Sequence, residues 1–258
     1  SFVVSTVSNK AGEGLEYKAD QSFIKGVGDV LNISNGTSFG DAWVNAQNNI
    51  IANNLTSEMG SIYVSSNANI TLNNISVNED LNIFGKDVTL DELKANGILG
   101  GVVDNLTVKS SQDLHLGIIL GHTNEFANNI DITTNMSILN GLSSDDANIF
   151  AKNISLIAGQ SIGKDKALNL NLANDNNVSI VANNLVHVNN TGAAANYNKI
   201  LAKDVLVSFD NDVKIHDINT ETLSLTTKTS NVSMTGDIKD KGIIKTKDKK
   251  ILIGSVKD

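Results

Sequence analysis

Four histidines, His115, His122, His187 and His216, are the side chains best suited to proton transfer or metal binding near neutral pH. No two stand in a His-x-x-x-His spacing; His115 and His187 each sit between two aliphatic residues, and His216 follows Ile215. On an extended strand that places them on the outer face, in solvent. Carboxylates come in neighbouring pairs, Glu79-Asp80, Asp91-Glu92 and Asp145-Asp146. A glycosidase needs two carboxyl groups facing each other across a bond. Sequence neighbours on a strand point to opposite faces, so these pairs read as solvated turn acids unless adjacent turns of chain bring two together. Gly100-Gly101-Val102-Val103-Asp104 has the start of a calcium-binding nonapeptide but occurs once, whereas that motif works in tandem copies, so it reads as a plain turn. There is no phosphate loop, no Gly-x-Ser-x-Gly elbow and no zinc helix. The expectation is a protein that is not an enzyme, with no catalytic residue, cofactor or metal.

Charge and composition narrow the class. The net charge is −8, and all 20 cationic side chains are Lys. Without a basic stripe, nucleic acid is excluded as a partner, and without Arg the chain lacks the bidentate fork for phosphate or carboxylate. The run Lys239–Lys250 holds six Lys together with Asp240 and Asp248, and reads as a solvated face. The absence of Cys removes disulfides and thiolate metal sites. No window reaches the roughly 18 apolar residues of a membrane span. Ser1-Phe2-Val3-Val4 starts inside an apolar run, as a piece of something longer would.

The elements that must carry these side chains are short strands. Aliphatic residues alternate with small or polar ones in triplets such as Ile62-Tyr63-Val64, Ile70-Thr71-Leu72, Val178-Ser179-Ile180 and Val205-Leu206-Val207. Each triplet sends two aliphatics to one face. Aromatics make up only 4% of a chain that is 40% hydrophobic, so the interior must be built from Ile, Leu, Val and Ala. There is no Pro to interrupt a β-ladder. Asn occurs 37 times, often in pairs such as Asn53-Asn54 and Asn73-Asn74, and suits sharp corners.

Taken three at a time, the triplets repeat every 18 to 24 residues, as from Val205 to Leu223 and from Ile154 to Val178. That repeat length points to a solenoid. The fold expected is all-β: a right-handed parallel β-helix with three short strands per coil. It spans 1–258 as one segment, with 1–29 less regular. A sandwich or barrel is the competing architecture, but it wants hairpin turns and aromatic anchors that are scarce here. Helix is expected only in Asp41–Asn48 and Leu90–Asn96, if anywhere.

One stretch carries more than periodicity. Asn153–Ala158 is followed by Gly159-Gln160-Ser161-Ile162-Gly163, then by Leu168–Leu172, Val178–Ala182 and Val186–Gly192. This resembles the repeat of filamentous-haemagglutinin-like exoproteins and related type V passengers, with Gln160 where those repeats carry Gly. The match covers about 40 residues. High Asn and Lys with no Arg is also similar to the giant leukotoxin-type exoprotein of fusobacteria. The resemblance implies a β-helical, secreted or cell-surface virulence exoprotein, an adhesin or cytotoxin, whose motif is structural and carries no catalytic residue. The alternative is a polysaccharide-acting β-helix enzyme or tailspike-like depolymerase. Such lyases resemble one another in using a catalytic Arg, which this chain lacks. Partners implied are a host-cell surface protein or glycan and the remainder of a long passenger chain. Contacts are expected from loops leaving the coil at 36–50, 91–105 and 191–200, with Trp43, Asn96 and Tyr197 as candidate partner-binding residues. Trp43 reads equally as a cap on the interior.

Overall fold

Each aliphatic triplet needs a second and third layer above and below it to bury its inner face, and the chain supplies them by coiling. The computed structural model describes the backbone of residues 2–7, 14–228, 231–246 and 251–253, with side chains over 14–228, 231–239 and 242–243. Of the Lys239–Lys250 run, 239–246 belong to strand Val232–Thr246, most of them described in backbone only, and 247–250 lie outside the described residues. The described strands all pair in parallel into one continuous sheet, wound as a β-solenoid of about 12 turns. At ~4.8 Å per turn this is a rod of roughly 55 Å.

One coil shows the construction. Strand Asn49–Ser57 runs straight through Asn53, bends at Asn54 (φ 53°) and continues through Leu55. A corner follows, and strand Ile62–Ser66 completes the turn. Three straight runs per coil are therefore present, but two of them share one bent strand. Asn54, Asn74 and Glu92 hold this corner in three successive coils with positive φ. Asn tolerates that region better than other non-glycine residues, which is why Asn pairs mark the bends.

The interior is a set of vertical ladders. One runs Leu31, Ile50, Ile70, Val88, Leu106, Ile130 and on through Ile154 and Val178, each paired with the next. All are sealed from solvent. Each rung stabilises the fold by ~1.5–3 kcal/mol through burial.

No helix occurs among the described residues. Asp41–Asn48 contains strand Ala42–Ala46, and Leu90–Asn96 lies almost wholly in strand Asp87–Ala95. Their alternation wins over local propensity, because Ala42, Val44 and Ala46 face inward against rungs of the coils on either side. Gly100 and Gly101 lie in strand Ile98–Val102 and not in a turn. Residues 15–26 are in register with the coil above.

Between coils, a side-chain carboxylate or amide at a turn repeatedly accepts the backbone N–H one coil on. Asp41 Oδ1 accepts from Ser61 (2.8 Å), Asp80 Oδ1 from Ile98 (2.7 Å), Asp113 Oδ1 from Ser137 (2.9 Å) and Asp212 Oδ1 from Asn231 (3.0 Å). These acids thus stitch the rod. In the Ala158–Gly163 motif, Gly163 has φ +62°, and a Cβ there would stand 2.2 Å from the His187 carbonyl oxygen. A Cβ on Gly159 would stand 2.1 Å from the Asn135 carbonyl oxygen, so both glycines let neighbouring coils close on this corner.

Candidate binding groove

The coils widen to 24 residues between Leu106 and Ile154, and the surplus chain leaves the rod. The largest excursion is 141–148, after strand Ile138–Asn140. Its residues, Gly-Leu-Ser-Ser-Asp-Asp-Ala-Asn, contain no aliphatic triplet to bury, so nothing draws it into the core.

The excursion is pinned at both ends. Asn148, fully buried, donates Nδ2 to the Leu116 carbonyl and to Asn140 Oδ1, both at 2.9 Å, and its Oδ1 accepts the Asn169 amide at 3.0 Å. Lys166 Nζ donates to the Leu142 carbonyl at 2.9 Å and lies 3.8 Å from Asp145 Oδ1. Asn169 Nδ2 donates to the Asp145 and Asp146 carbonyls at 3.3 Å. A loop so held is ordered before any ligand arrives.

Beside it the strands Leu168–Ala182, Leu185–Gly192 and Asp204–Phe209 lie in register, with Asn169, Asn189 and Ser208 one above another on the outer face. Asn189 Nδ2 donates to Asn169 Oδ1 at 3.0 Å, and Ser208 Oγ donates to Asn189 Oδ1 at 2.7 Å. Thr191, Asp210 and Lys228 close the far side, with Lys228 Nζ 2.7 Å from Asp210. The result is a groove of about 400 Å³ floored by amides and a hydroxyl at ~4.8 Å steps, with paired charges at its rims. Donors and acceptors alternate along the floor, and no aromatic ring lines it. This chemistry suits a neutral, hydroxyl-rich ligand.

No protein-family model, curated protein or solved structure matches the chain. The groove must therefore be read from its own residues.

The residues expected to meet a partner are placed differently from one another. Trp43 is half-buried on the outside of strand Ala42–Ala46, neither in a loop nor over the interior. It is stacked between Phe23 (centroids 4.3 Å apart, 3° between planes) and Tyr63 (5.4 Å, 9°). Asn96 is exposed in the tight turn before strand Ile98–Val102 and donates to Asn78 Oδ1 at 3.4 Å. The 91–105 region is thus two strands joined by a turn. Tyr197 is corrected outright: 191–200 is no loop, and Tyr197 on strand Ala195–Leu201 is fully buried. It occupies a rung between Val178 and Ile215, where its hydroxyl donates to buried Asn190 Oδ1 at 2.5 Å. Desolvation pushes this phenol far above its ordinary pKa, the Asn190 bond only partly opposing it.

His216 is exposed, whereas His115 and His187 are half-buried on the outer surface. Among the described residues no three His, Asp or Glu gather as metal ligands would. Asp104 caps another excursion, accepting Thr123 N at 2.7 Å and Thr123 Oγ1 at 2.5 Å. Desolvation raises its carboxyl, but the two Thr123 bonds and nearby His122 together outweigh it and hold it below the usual range.

Of the groove residues, Asp145 reads from sequence only as one of a pair of solvated turn acids, and Lys166 and Asn169 do not stand out. The signal available was the six-residue gap in the triplet pattern at 141–146, flanked by 24-residue coils.

Proposed function

We propose that this chain is a non-enzymatic stalk segment of a large secreted or cell-surface exoprotein, of the filamentous-haemagglutinin-like kind, serving an adhesin or leukotoxin-type cytotoxin. The rod holds the groove beside the 141–148 excursion toward a neutral glycan of a host cell. The observation that carries this reading is the clamp of Lys166, Asn148 and Asn169 on the excursion, which fixes a polar groove on the side of a rigid solenoid. Preorganisation lowers the ordering cost of binding. Support for the family comes from the Ala158–Gly163 corner, whose two glycines do the structural work that the resemblance implies.

The enzymatic alternative has one observation in its favour: Asp145 and Asp210 reach the same groove from different coils. One experiment separates the two. The purified chain is applied to a glycan panel and to host cells, with release of reducing ends followed in parallel. Binding without release, weakened at least tenfold by Asn189→Ala, supports the stalk. Release of reducing ends that is lost in Asp145→Asn or Asp210→Asn replaces it with a depolymerase. Absence of binding to any glycan or cell removes the groove from the account.

A further inference from the structure

The polar groove has a second column of side chains beside its floor. The floor itself, Asn169, Asn189 and Ser208, is bonded along its own length. Asn169 Nδ2 donates to the Asp145 and Asp146 carbonyls, and Asn189 and Ser208 each donate to the residue one coil below. Beneath Asn169 stands Asn148, where the excursion rejoins the rod, so the floor is closed at its lower end. Two positions along the same strands, a second outward column runs Phe150, Asn171, Thr191 and Asp210. Phe150 pairs with Asn171 and Asn171 with Thr191. The Asp210 amide donates to the Asn190 carbonyl at 3.0 Å, which continues the register. Thr191 and Asp210 line the groove, and Asn171 and Phe150 extend it down to the coil that the excursion rejoins.

This column is built differently from the floor. Asn171 is half-buried, and among the described residues its side-chain amide has no hydrogen-bond partner. Gly192 in the next coil keeps that amide clear, since a Cβ there would stand 2.4 Å from Asn171 Oδ1. Thr191 Oγ1 donates to the Leu170 carbonyl at 3.3 Å and keeps its lone pairs for an incoming donor. Asp210 is an acceptor, held at 2.7 Å by Lys228 Nζ. Phe150 is half-buried on the outer surface. Phe126 is tilted 49° against it, with centroids 6.2 Å apart, and is not stacked on it. From bottom to top the column offers a ring, an unbonded amide, a hydroxyl and a carboxylate, at ~4.8 Å steps.

We infer that a linear, neutral, β-1,4-linked glycan lies in this column along the rod axis, one pyranose per coil, with its last sugar on the Phe150 ring. Granted that the groove takes a glycan, as proposed above, the column fixes its linkage and its direction. The step decides the linkage. An extended β-1,4-linked chain of pyranoses advances by nearly one coil spacing per residue, so each sugar meets its own rung. An α-1,4-linked chain curls away from a straight line. An extended peptide advances only ~3.3 Å per residue and falls out of step with the coils. The chemistry agrees rung by rung. Asp210 and Thr191 accept from hydroxyls, and the Asn171 amide both donates and accepts, as two neighbouring hydroxyls require. The C–H face of a pyranose meets the negative face of the Phe150 ring. The excursion at 141–148, pinned on one side of the column, holds the chain to this line.

The test is calorimetric titration of the intact chain with cello- and chito-oligosaccharides of two to six residues, and with maltotetraose. In a β-1,4-linked series, affinity is expected to rise at least tenfold from disaccharide to tetrasaccharide and to level off beyond it. Maltotetraose should bind at least tenfold more weakly than its β-linked counterpart. Phe150→Ala should bring the tetrasaccharide down to the affinity of the trisaccharide, and Phe150→Tyr should restore the difference. Asn171→Leu, which keeps the volume of the side chain, should weaken the tetrasaccharide at least tenfold. In NMR spectra of the bound tetrasaccharide, ring protons of one terminal sugar should shift upfield, and the shift should vanish in Phe150→Ala. Circular dichroism of each variant confirms that the sheet is intact. Affinity independent of length, maltotetraose bound as tightly, or a length profile untouched by Phe150→Ala overturns this inference and leaves the groove a glycan site. Binding of other glycans but of neither β-1,4-linked series does the same. Absence of binding to any glycan overturns both this inference and the reading of the groove.

Discussion

Asn153 donates its Nδ2 hydrogen to Oδ1 of Asn129, one coil below, at 3.0 Å. The same bond repeats with the same direction along the rod. Asn177 donates to Asn153, Asn129 to Asn105, and Asn105 to the carboxylate of Asp87 at 2.6 Å. Above, Asn196 donates to Asn177, and His216 Nε2 meets Asn196 Oδ1 at 3.0 Å. Seven side chains in seven coils thus form one polarised ladder, with a pure acceptor at one end. Hydrogen bonds in such a chain strengthen one another.

Cutting the ladder in the middle removes two bonds and the polarisation on both sides. Asn129→Ala should lower stability by ~1–2 kcal/mol. Asn67→Ala, an exposed turn residue outside the ladder, should change it by less than ~0.5 kcal/mol. Urea denaturation of the two variants side by side measures the difference.

The interior rung at Tyr197 makes a sharper case. Tyr197→Phe keeps the ring and its edge contact with Phe209 (centroids 5.6 Å apart) but strips Asn190 Oδ1 of its donor. Asn190 is 3% exposed, so water cannot replace the hydroxyl. The expected cost is ~1–3 kcal/mol. Asn190→Leu combined with Tyr197→Phe should recover part of it, since both polar partners are then gone. Equal denaturation midpoints for Tyr197→Phe and the native chain would refute the argument.

These two sites mark how far the sequence could be read. The stacked coils were legible because Ile70-Thr71-Leu72 and its relatives state which side chains go inward, and because Asn53-Asn54 states where the chain bends. Tyr197 was misread because its neighbours, Thr-Gly-Ala-Ala-Ala, look like a loop. Only the register with Val178 and Ile215 places the ring inside, and register depends on coils far away in sequence. The groove was invisible for the same reason: Asp145, Lys166, Asn169 and Asn189 converge through stacking, not through spacing.

Gly163 tests the corner motif. An Ala there meets both the positive φ and the His187 carbonyl oxygen. Gly163→Ala should therefore destabilise by more than ~1 kcal/mol, the strain of the backbone region alone. At Asn54, also at positive φ, glycine is the residue best suited to the conformation. Asn54→Gly loses mainly two exposed bonds, the one it donates to Asn35 Oδ1 (2.9 Å) and the one it accepts from Asn74 Nδ2 (2.5 Å), and should still cost less than Gly163→Ala. Thermal melts of both variants decide the order.

Asp104 supplies a pH dependence with a definite sign. Its carboxyl is held below its ordinary value in the folded chain, so it binds its proton less readily folded than unfolded. The stability it contributes is present above the unfolded pKa of ~3.9 and is lost as pH falls through the lowered folded value. Protonation removes the acceptor for Thr123 N and Oγ1, which anchors the excursion at 121–126 to the coil. Amide exchange at Thr123, corrected for its intrinsic acid and base catalysis, should show protection that persists through the ordinary carboxylate range and is lost only at lower pH. In Asp104→Asn the amide oxygen still accepts one bond, so protection should be lower than native at pH 6 but independent of pH between 6 and 3. A pH-dependent loss that persists in Asp104→Asn would assign the switch to another group.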